Sequence, residues 1–144
     1  MIKLTKIFHF EMAHAIHGYA GSCKNIHGHS YELHISVGAN FTETDFIVAP
    51  GFIIDFKEIK NLVQDSVIEQ FDHRLLLSND FIDKNPSIST LENLVTFKVE
   101  PTAENLLLYI KEILKNVLPE KIKLVQLKLF ETKDSYAEWT ISNQ

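Results

Sequence analysis

The residues best suited to chemistry lie close together near the start of the chain. Four of the seven histidines fall between His14 and His29, and the only cysteine, Cys23, lies among them. His27 and His29 are two residues apart, so on an extended chain their side chains point the same way. Both imidazoles can therefore reach one ion, and the spacing predicts a metal site.

A third imidazole is available from an earlier segment. His14 shares the alternating apolar pattern of Phe8 and Phe10 and stands at the end of that pattern. Two strand ends thus offer His14, His27 and His29 to one point. Three protein ligands with one open position are the usual arrangement of catalytic zinc, and imidazole suits that ion. We therefore expect Zn²⁺ as the cofactor.

Simpler interpretations of these residues stay open at this point. Cys23 is either a reactive thiol beside the metal, an inert buried thiol, or a fourth ligand in a closed structural zinc site. The last arrangement would make the protein a zinc-stabilised binding module and not an enzyme. His9 and His34 have the opposite parity and are expected on the solvated surface. His17 is expected to be a loop residue or a substrate contact.

Hydrophobic periodicity predicts two strands, two helices and two further strands, in that order. Alternating apolar residues indicate strands at residues 2–14, 31–37, 124–130 and 135–141, and residues 94–99 are a candidate for a short extra strand. Residues 131–134 separate the last two strands, which favours a hairpin. Helical spacing covers residues 56–71, with Asp55 as the N-cap, and a second helix begins after Thr102. Strands adjacent in sequence usually pair antiparallel, so we expect one α+β domain over residues 1–144.

Composition excludes several classes of partner. The net charge of −5 argues against non-specific binding of nucleic acid, and Arg74 is the only arginine. No apolar run approaches the roughly 20 residues of a spanning helix, so no membrane partner is expected. The N-terminal residues lack the pattern of a signal peptide, and a single cysteine fits a reducing compartment. A cytoplasmic location is therefore expected.

Six short motifs occur in order between about residues 6 and 139, and together they resemble one enzyme family. They are Phe10-Glu11-Met12-Ala13-His14, Cys23-x-x-x-His27-Gly28-His29, Gly51-Phe52-Ile53-Ile54-Asp55-Phe56, Asp72-His73, Pro101-Thr102-Ala103-Glu104-Asn105 and Phe130-Glu131-Thr132. This set resembles the 6-pyruvoyl-tetrahydropterin synthase family, including its 6-carboxy-tetrahydropterin synthase branch. Two positions depart from the usual pattern, because Leu77 stands where the family has asparagine and Ala15 where it often has arginine.

The resemblance implies a fold and an assembly. The family has the tunnelling fold, or T-fold, in which a four-stranded antiparallel sheet carries two helices on one face. Three subunits close their sheets into a β-barrel, and two trimers stack into a hexamer. We therefore expect a homo-oligomer, either a trimer or a hexamer, in which active sites lie between subunits.

The resemblance also implies roles for individual residues. The family's zinc ligands fall on the same three histidines, and its catalytic cysteine falls on Cys23. A second catalytic pair falls on Asp72 and His73, and the glutamate that anchors the pterin falls on Glu131. Thr102 and Glu104 are candidate substrate contacts.

The implied substrate is 7,8-dihydroneopterin triphosphate. The three residues between Cys23 and His27 resemble the spacing of the carboxy branch, which serves queuosine and deazapurine biosynthesis. We therefore expect a lyase that forms 6-carboxy-5,6,7,8-tetrahydropterin, acetaldehyde and triphosphate. The alternative product is 6-pyruvoyl-tetrahydropterin, formed by elimination of triphosphate.

Overall fold

A six-stranded mixed sheet organises the computed structural model of the chain, which describes residues 2–40 and 46–142. The spatial order of its strands is β4-β3-β1-β2-β5-β6. In chain order they are β1 (Lys3–His14), β2 (His27–Ala39), β3 (Arg74–Ser78), β4 (Leu94–Phe97), β5 (Ile122–Thr132) and β6 (Ser135–Thr140).

The part of the sheet that the sequence predicts is present as expected. β1, β2, β5 and β6 are neighbours in that order, and each pairs antiparallel with the next. β2 begins at His27 and β5 continues to Thr132, so both strands are longer than their alternating patterns. Both histidines of the His-x-His pair therefore lie within a strand, as does Glu131.

The strand count is larger than predicted, because β3 and β4 extend the sheet beyond β1 as parallel strands. β4 is the candidate short strand, whereas β3 was not foreseen. Leu76 packs into the main core, while Leu75 and Leu77 pack on the other side of the sheet. A strand that is buried on both faces shows no alternation, which is why periodicity misses it.

The two predicted helices pack on one face of the sheet. The first runs as α1 (Phe56–Val63), a π-helical turn (Gln64–Ile68) and a final turn α2 (Glu69–Phe71), and Asp55 caps it by accepting from the Lys57 N–H at 2.7 Å. A short helix, α3 (Asn79–Lys84), was not predicted, and α4 (Ala103–Val117) was. Within the described residues, no helix has both the length and the apolar character needed to cross a membrane.

The main core lies between this sheet face and the helices. It is formed by alternate residues of the central strands and by the apolar stripes of α1 and α4, and its fully buried members include Tyr31, Leu33, Ile35, Ile59, Val63, Leu106, Ile110, Leu127 and Leu129. His14 continues the inward alternation of Phe8, Phe10 and Met12 and is only 2% exposed. Core packing thus fixes the direction in which the β1 histidine points.

The start of α4 provides a test of local stability. Thr102 Oγ1 accepts a hydrogen bond from the Asn105 N–H at 3.2 Å and satisfies one of the unpaired donors of the first turn. Thr102→Ala should lower the free energy of unfolding by about 1 kcal/mol, and the melting temperature by roughly 2–5 °C. Thr102→Ser keeps the acceptor and should melt close to the parent. Equal melting of the alanine variant and the parent would show that the cap contributes nothing.

Candidate metal centre and its cleft

Three histidines converge where β1 ends and β2 begins. Antiparallel pairing places His14 opposite His27, and His29 follows on the same face of β2. One ring nitrogen from each of the three lies within 4.8 Å of the others, and the Nε2 atoms of His14 and His27 are 3.1 Å apart. Two imidazole nitrogens on a tetrahedral zinc ion would be about 3.3 Å apart. The His14–His27 distance is close to this value, and the spacing of the whole set is compatible with three ligands to one ion.

Hydrogen bonds to backbone carbonyls fix which nitrogen the His14 and His27 rings offer. His14 Nδ1 donates to the Pro101 carbonyl and His27 Nδ1 donates to the Asn25 carbonyl, both at 2.7 Å. A carbonyl only accepts, so in the neutral rings both Nε2 atoms carry lone pairs. Two lone pairs facing each other at 3.1 Å repel unless a cation lies between them. The cluster is therefore compatible with a metal site, and the two carbonyls orient its ligands.

Burial keeps the cluster in the form that binds a metal. Desolvation lowers the pKa of His14 and of His29 below the ordinary histidine value. Both rings therefore remain neutral to lower pH than an exposed histidine, and neutral imidazole is the ligand form. The Tyr31 hydroxyl lies 3.4 Å from His14 Nδ1, and burial raises the pKa of Tyr31 so that it stays protonated.

A cleft of about 580 Å³ opens beside the cluster, and we call it the metal cleft. Its lining includes His14, Cys23, Thr102, Glu104 and Glu131, so it brings together one expected metal ligand, the thiol and the three expected substrate contacts. Glu104 is exposed on the first turn of α4, and Thr102 is its N-cap. The residues predicted to contact substrate therefore share one cavity.

Glu131 points into the metal cleft from the end of β5, at a β-bulge. The register of β5 with β6 shifts between Phe130 and Thr132, so Glu131 is the extra residue there. Glu131 Oε1 lies 3.9 Å from His14 Nε2, and the side chain is 29% exposed. Glu131 shares the parity of the buried Leu127 and Leu129 along β5, and parity alone therefore predicts the inward direction that the structure has.

Cys23 lies apart from the ligand cluster. It is exposed, and it belongs to a short 3₁₀ turn (Ser22–Lys24) in the loop that joins β1 to β2. Among the described residues, the group close enough to share a metal ion contains the three histidines and not this thiol. This geometry disfavours a closed four-ligand site and leaves the thiol facing the metal cleft.

Glu100 is a site residue that sequence reasoning missed. Its carboxylate accepts the His17 N–H at 2.6 Å, and its carbonyl accepts the Asn105 side-chain amide at 2.9 Å. Within the same loop the Ile16 N–H donates to the Cys23 carbonyl at 2.8 Å. Glu100 thus ties the thiol-bearing loop to the start of α4. The contact joins residues 83 positions apart through a backbone donor, so no sequence pattern signals it.

Asp72 and His73 lie outside the described lining of the metal cleft. They follow the end of α2, and His73 lines a second cavity of about 380 Å³ with His29, Arg74 and Asn93, which we call the dyad pocket. Asp72 Oδ1 is 3.0 Å from His73 Nδ1 and accepts the Glu11 N–H at 2.9 Å. That backbone bond holds the pKa of Asp72 below its usual range. One chain therefore does not bring the dyad together with Cys23.

His73 has an uncommon backbone conformation and a largely exposed side chain. Its φ is 60°, a left-handed conformation that is uncommon for a residue other than glycine. Its side chain is 79% exposed, so it projects away from its own chain. Strained backbone that persists next to an ordered carboxylate is frequent at functional sites.

The other histidines take no part in the cluster. His9 is exposed, as expected. His34 is only partly exposed, because it stacks on Phe130 at 5.1 Å between ring centroids and bonds Glu32 at 2.5 Å. His17 belongs to the β1–β2 loop, where its backbone N–H bonds Glu100.

Comparison with known proteins identifies the family. The family model described as 6-pyruvoyl tetrahydropterin synthase matches residues 3–141, so the chain belongs to that family. Relatives named 6-carboxy-5,6,7,8-tetrahydropterin synthase include those of Rickettsia typhi, 34% identical over 96% of this chain and 99% of the relative, and Haemophilus influenzae, 30% identical over the same shares. The structure of Caenorhabditis elegans 6-pyruvoyl tetrahydropterin synthase superposes with a TM-score of 0.68 at 22% identity, covering 98% of this chain and 96% of that one. The predicted T-fold is thereby confirmed.

The Glu100 contact can be tested by hydrogen exchange. Glu100→Ala removes the acceptor for the His17 N–H, so residues 15–26 should exchange at least about tenfold faster, as expected for a lost charge-assisted bond. Glu100→Gln keeps a neutral acceptor and should fall between the alanine variant and the parent. Exchange in β5 should be unchanged in both variants. Parent-like protection of the loop in Glu100→Ala would contradict the anchoring role.

Proposed function

We propose that the chain is a zinc-dependent lyase that converts 7,8-dihydroneopterin triphosphate and water to 6-carboxy-5,6,7,8-tetrahydropterin, acetaldehyde and triphosphate. The observation that carries this proposal is one cleft that holds the His14 end of a three-imidazole cluster, Cys23 and the inward Glu131. The names of the 30–34% identical relatives from Haemophilus and Rickettsia support the carboxy product.

The ligand set suits zinc as the ion. His14, His27 and His29 would hold it through neutral ring nitrogens, two of them with tautomers set by backbone carbonyls. Zinc with three imidazole ligands keeps a fourth position open. When bound there, the ion supplies Lewis-acid stabilisation of negative charge on the oxygens of the substrate side chain.

Glu131 is the proposed anchor of the pterin ring. The ring presents adjacent N–H donors on one edge, and a carboxylate can accept two of them in parallel. An inward carboxylate at the end of a strand is costly unless such partners satisfy it. Glu131 would therefore fix the ring at one end of the metal cleft, with the hydroxylated side chain directed toward the histidines.

Cys23 is the proposed base. The thiolate would take a proton from a carbon of the substrate side chain, which is the step that begins rearrangement. In the overall reaction, the first side-chain carbon becomes the carboxylate and the other two carbons leave as acetaldehyde. The ring gains the electrons that the side chain loses, so no external reductant is needed.

The dyad would come from a second copy of the chain. β3 covers the outer edge of β1 only at Met12–His14, and β6 is the opposite edge strand of the sheet. In a closed barrel, the free part of β1 in one copy would pair antiparallel with β6 of the next, which removes both edges. Asp72 and His73 are bonded to Glu11 on that β1 edge, and β6 residues line the metal cleft. Barrel closure would thus bring the dyad of one copy to the cleft of its neighbour.

The proposed function is tested by product analysis. Zinc-loaded protein incubated with 7,8-dihydroneopterin triphosphate should yield 6-carboxy-tetrahydropterin and one equivalent of acetaldehyde. Formation of 6-pyruvoyl-tetrahydropterin without acetaldehyde would favour the alternative lyase. Cys23→Ala should retain about one zinc per chain and lose at least about a hundredfold in turnover, as for removal of a general base. Loss of zinc in that variant would favour the structural-zinc module.

Sharing of the site between copies predicts complementation. Cys23→Ala and His73→Ala should each be inactive alone. Co-expressed in equal amounts, they should recover about a quarter of the parent activity, because random assembly gives that fraction of interfaces an intact residue of each kind. Mixed oligomers isolated with two different tags establish that the chains have assembled together. Inactive mixed oligomers would contradict the shared site.

A further inference from the structure

The metal cleft is poorly suited to the triphosphate of the proposed substrate. Three carboxylates line it, those of Glu104, Glu131 and Glu138, and no lysine or arginine is part of its described lining. A triphosphate carries several negative charges and would be repelled there. The phosphate chain therefore needs another cavity within reach of the same side chain.

Such a cavity adjoins the metal cleft across the thiol-bearing loop. A groove of about 510 Å³ lies between this loop and α3, and we call it the loop groove. It shares Ile16 and Tyr19 with the metal cleft, so the two cavities meet at one wall. Besides Tyr19, its polar side chains are those of His17, Lys24, Asn25 and Asn85, and no carboxylate is part of its described lining.

We propose that the loop groove is the binding site for the triphosphate, with Lys24 as its principal cation. This inference rests on the proposed function. Lysine binds phosphate as a point charge, and the amide of Asn25 can add a neutral donor. Lys24 follows Cys23 directly, so a phosphate chain held there would place the carbon side chain between the loop groove and the histidine cluster. The ring and the phosphates would thus be bound at opposite ends, by Glu131 and Lys24.

The experiment compares two ligands that differ only in the phosphates. Neopterin and neopterin triphosphate are fluorescent, so both can be titrated against the zinc-loaded protein without turnover. Lys24→Gln should weaken binding of neopterin triphosphate by about tenfold and leave neopterin within about twofold of the parent. Lys60→Gln, on the exposed surface of α1, removes the same charge elsewhere and should change neither affinity.

Two further variants test whether the loss of affinity is specific to the phosphates and to Lys24. Glu131→Gln removes an acceptor for the N–H groups of the pterin ring and should weaken the binding of both ligands by a similar factor. Arg74→Gln removes the cation of the dyad pocket. The assignment would be overturned if this variant selectively lost affinity for neopterin triphosphate while Lys24→Gln bound it as the parent does. Equal affinity of the parent for the two ligands would overturn it as well. A parent that binds neither ligand would contradict the proposed function itself, which separates the two failures.

Discussion

The register between β1 and β2 is the constraint on which the rest of the site depends. Residues directly opposite in an antiparallel pair have Cβ atoms roughly 4.5–5.5 Å apart, so the pairing of His14 with His27 brings two imidazoles together, and the period of two adds His29. A slip of one residue would turn the histidines of the shifted strand to the other face of the sheet. Fully buried Leu33 and Ile35 hold that register, because the same slip would expose them. The packing of the core and the spacing of the three histidines therefore depend on the same strand register.

Two backbone carbonyls then determine which ring nitrogen of His14 and of His27 faces the cluster. The carbonyl of Pro101 comes from the turn before α4 and that of Asn25 from the β1–β2 loop, yet both accept an Nδ1 proton. The two donated bonds leave the Nε2 lone pairs directed at each other. Glu100, next to Pro101, holds the same loop through the His17 N–H. The segment before α4 thus orients a histidine and tethers the thiol loop at once.

The sequence predicts those features that follow from alternation and from local caps. Parity along a strand places His14 and Glu131 correctly, and Asp55 caps the helix expected of it. Alternation cannot reveal β3, which is buried on both faces, nor a tether that uses a backbone donor far along the chain. It also gives no position for Asp72 and His73, because their surroundings depend on strand edges and not on the residues beside them. The family resemblance implies a role for them, and in the structure neither of them is part of the described lining of the metal cleft.

The three histidines lie on strands, whereas Cys23 lies on the loop between those strands. The three histidines of the candidate metal site are carried by strands packed into the core, where positions are held more tightly than on loops. Cys23 is carried by an exposed loop that runs from His14 to His27 and is tied to Glu100 through the His17 N–H. The proposed metal site would then form without the thiol, because Cys23 is not part of the histidine group among the described residues. Under the proposed function, the histidines on the strands would hold the ion in a fixed position, and Cys23 on the loop would act on the substrate side chain beside it.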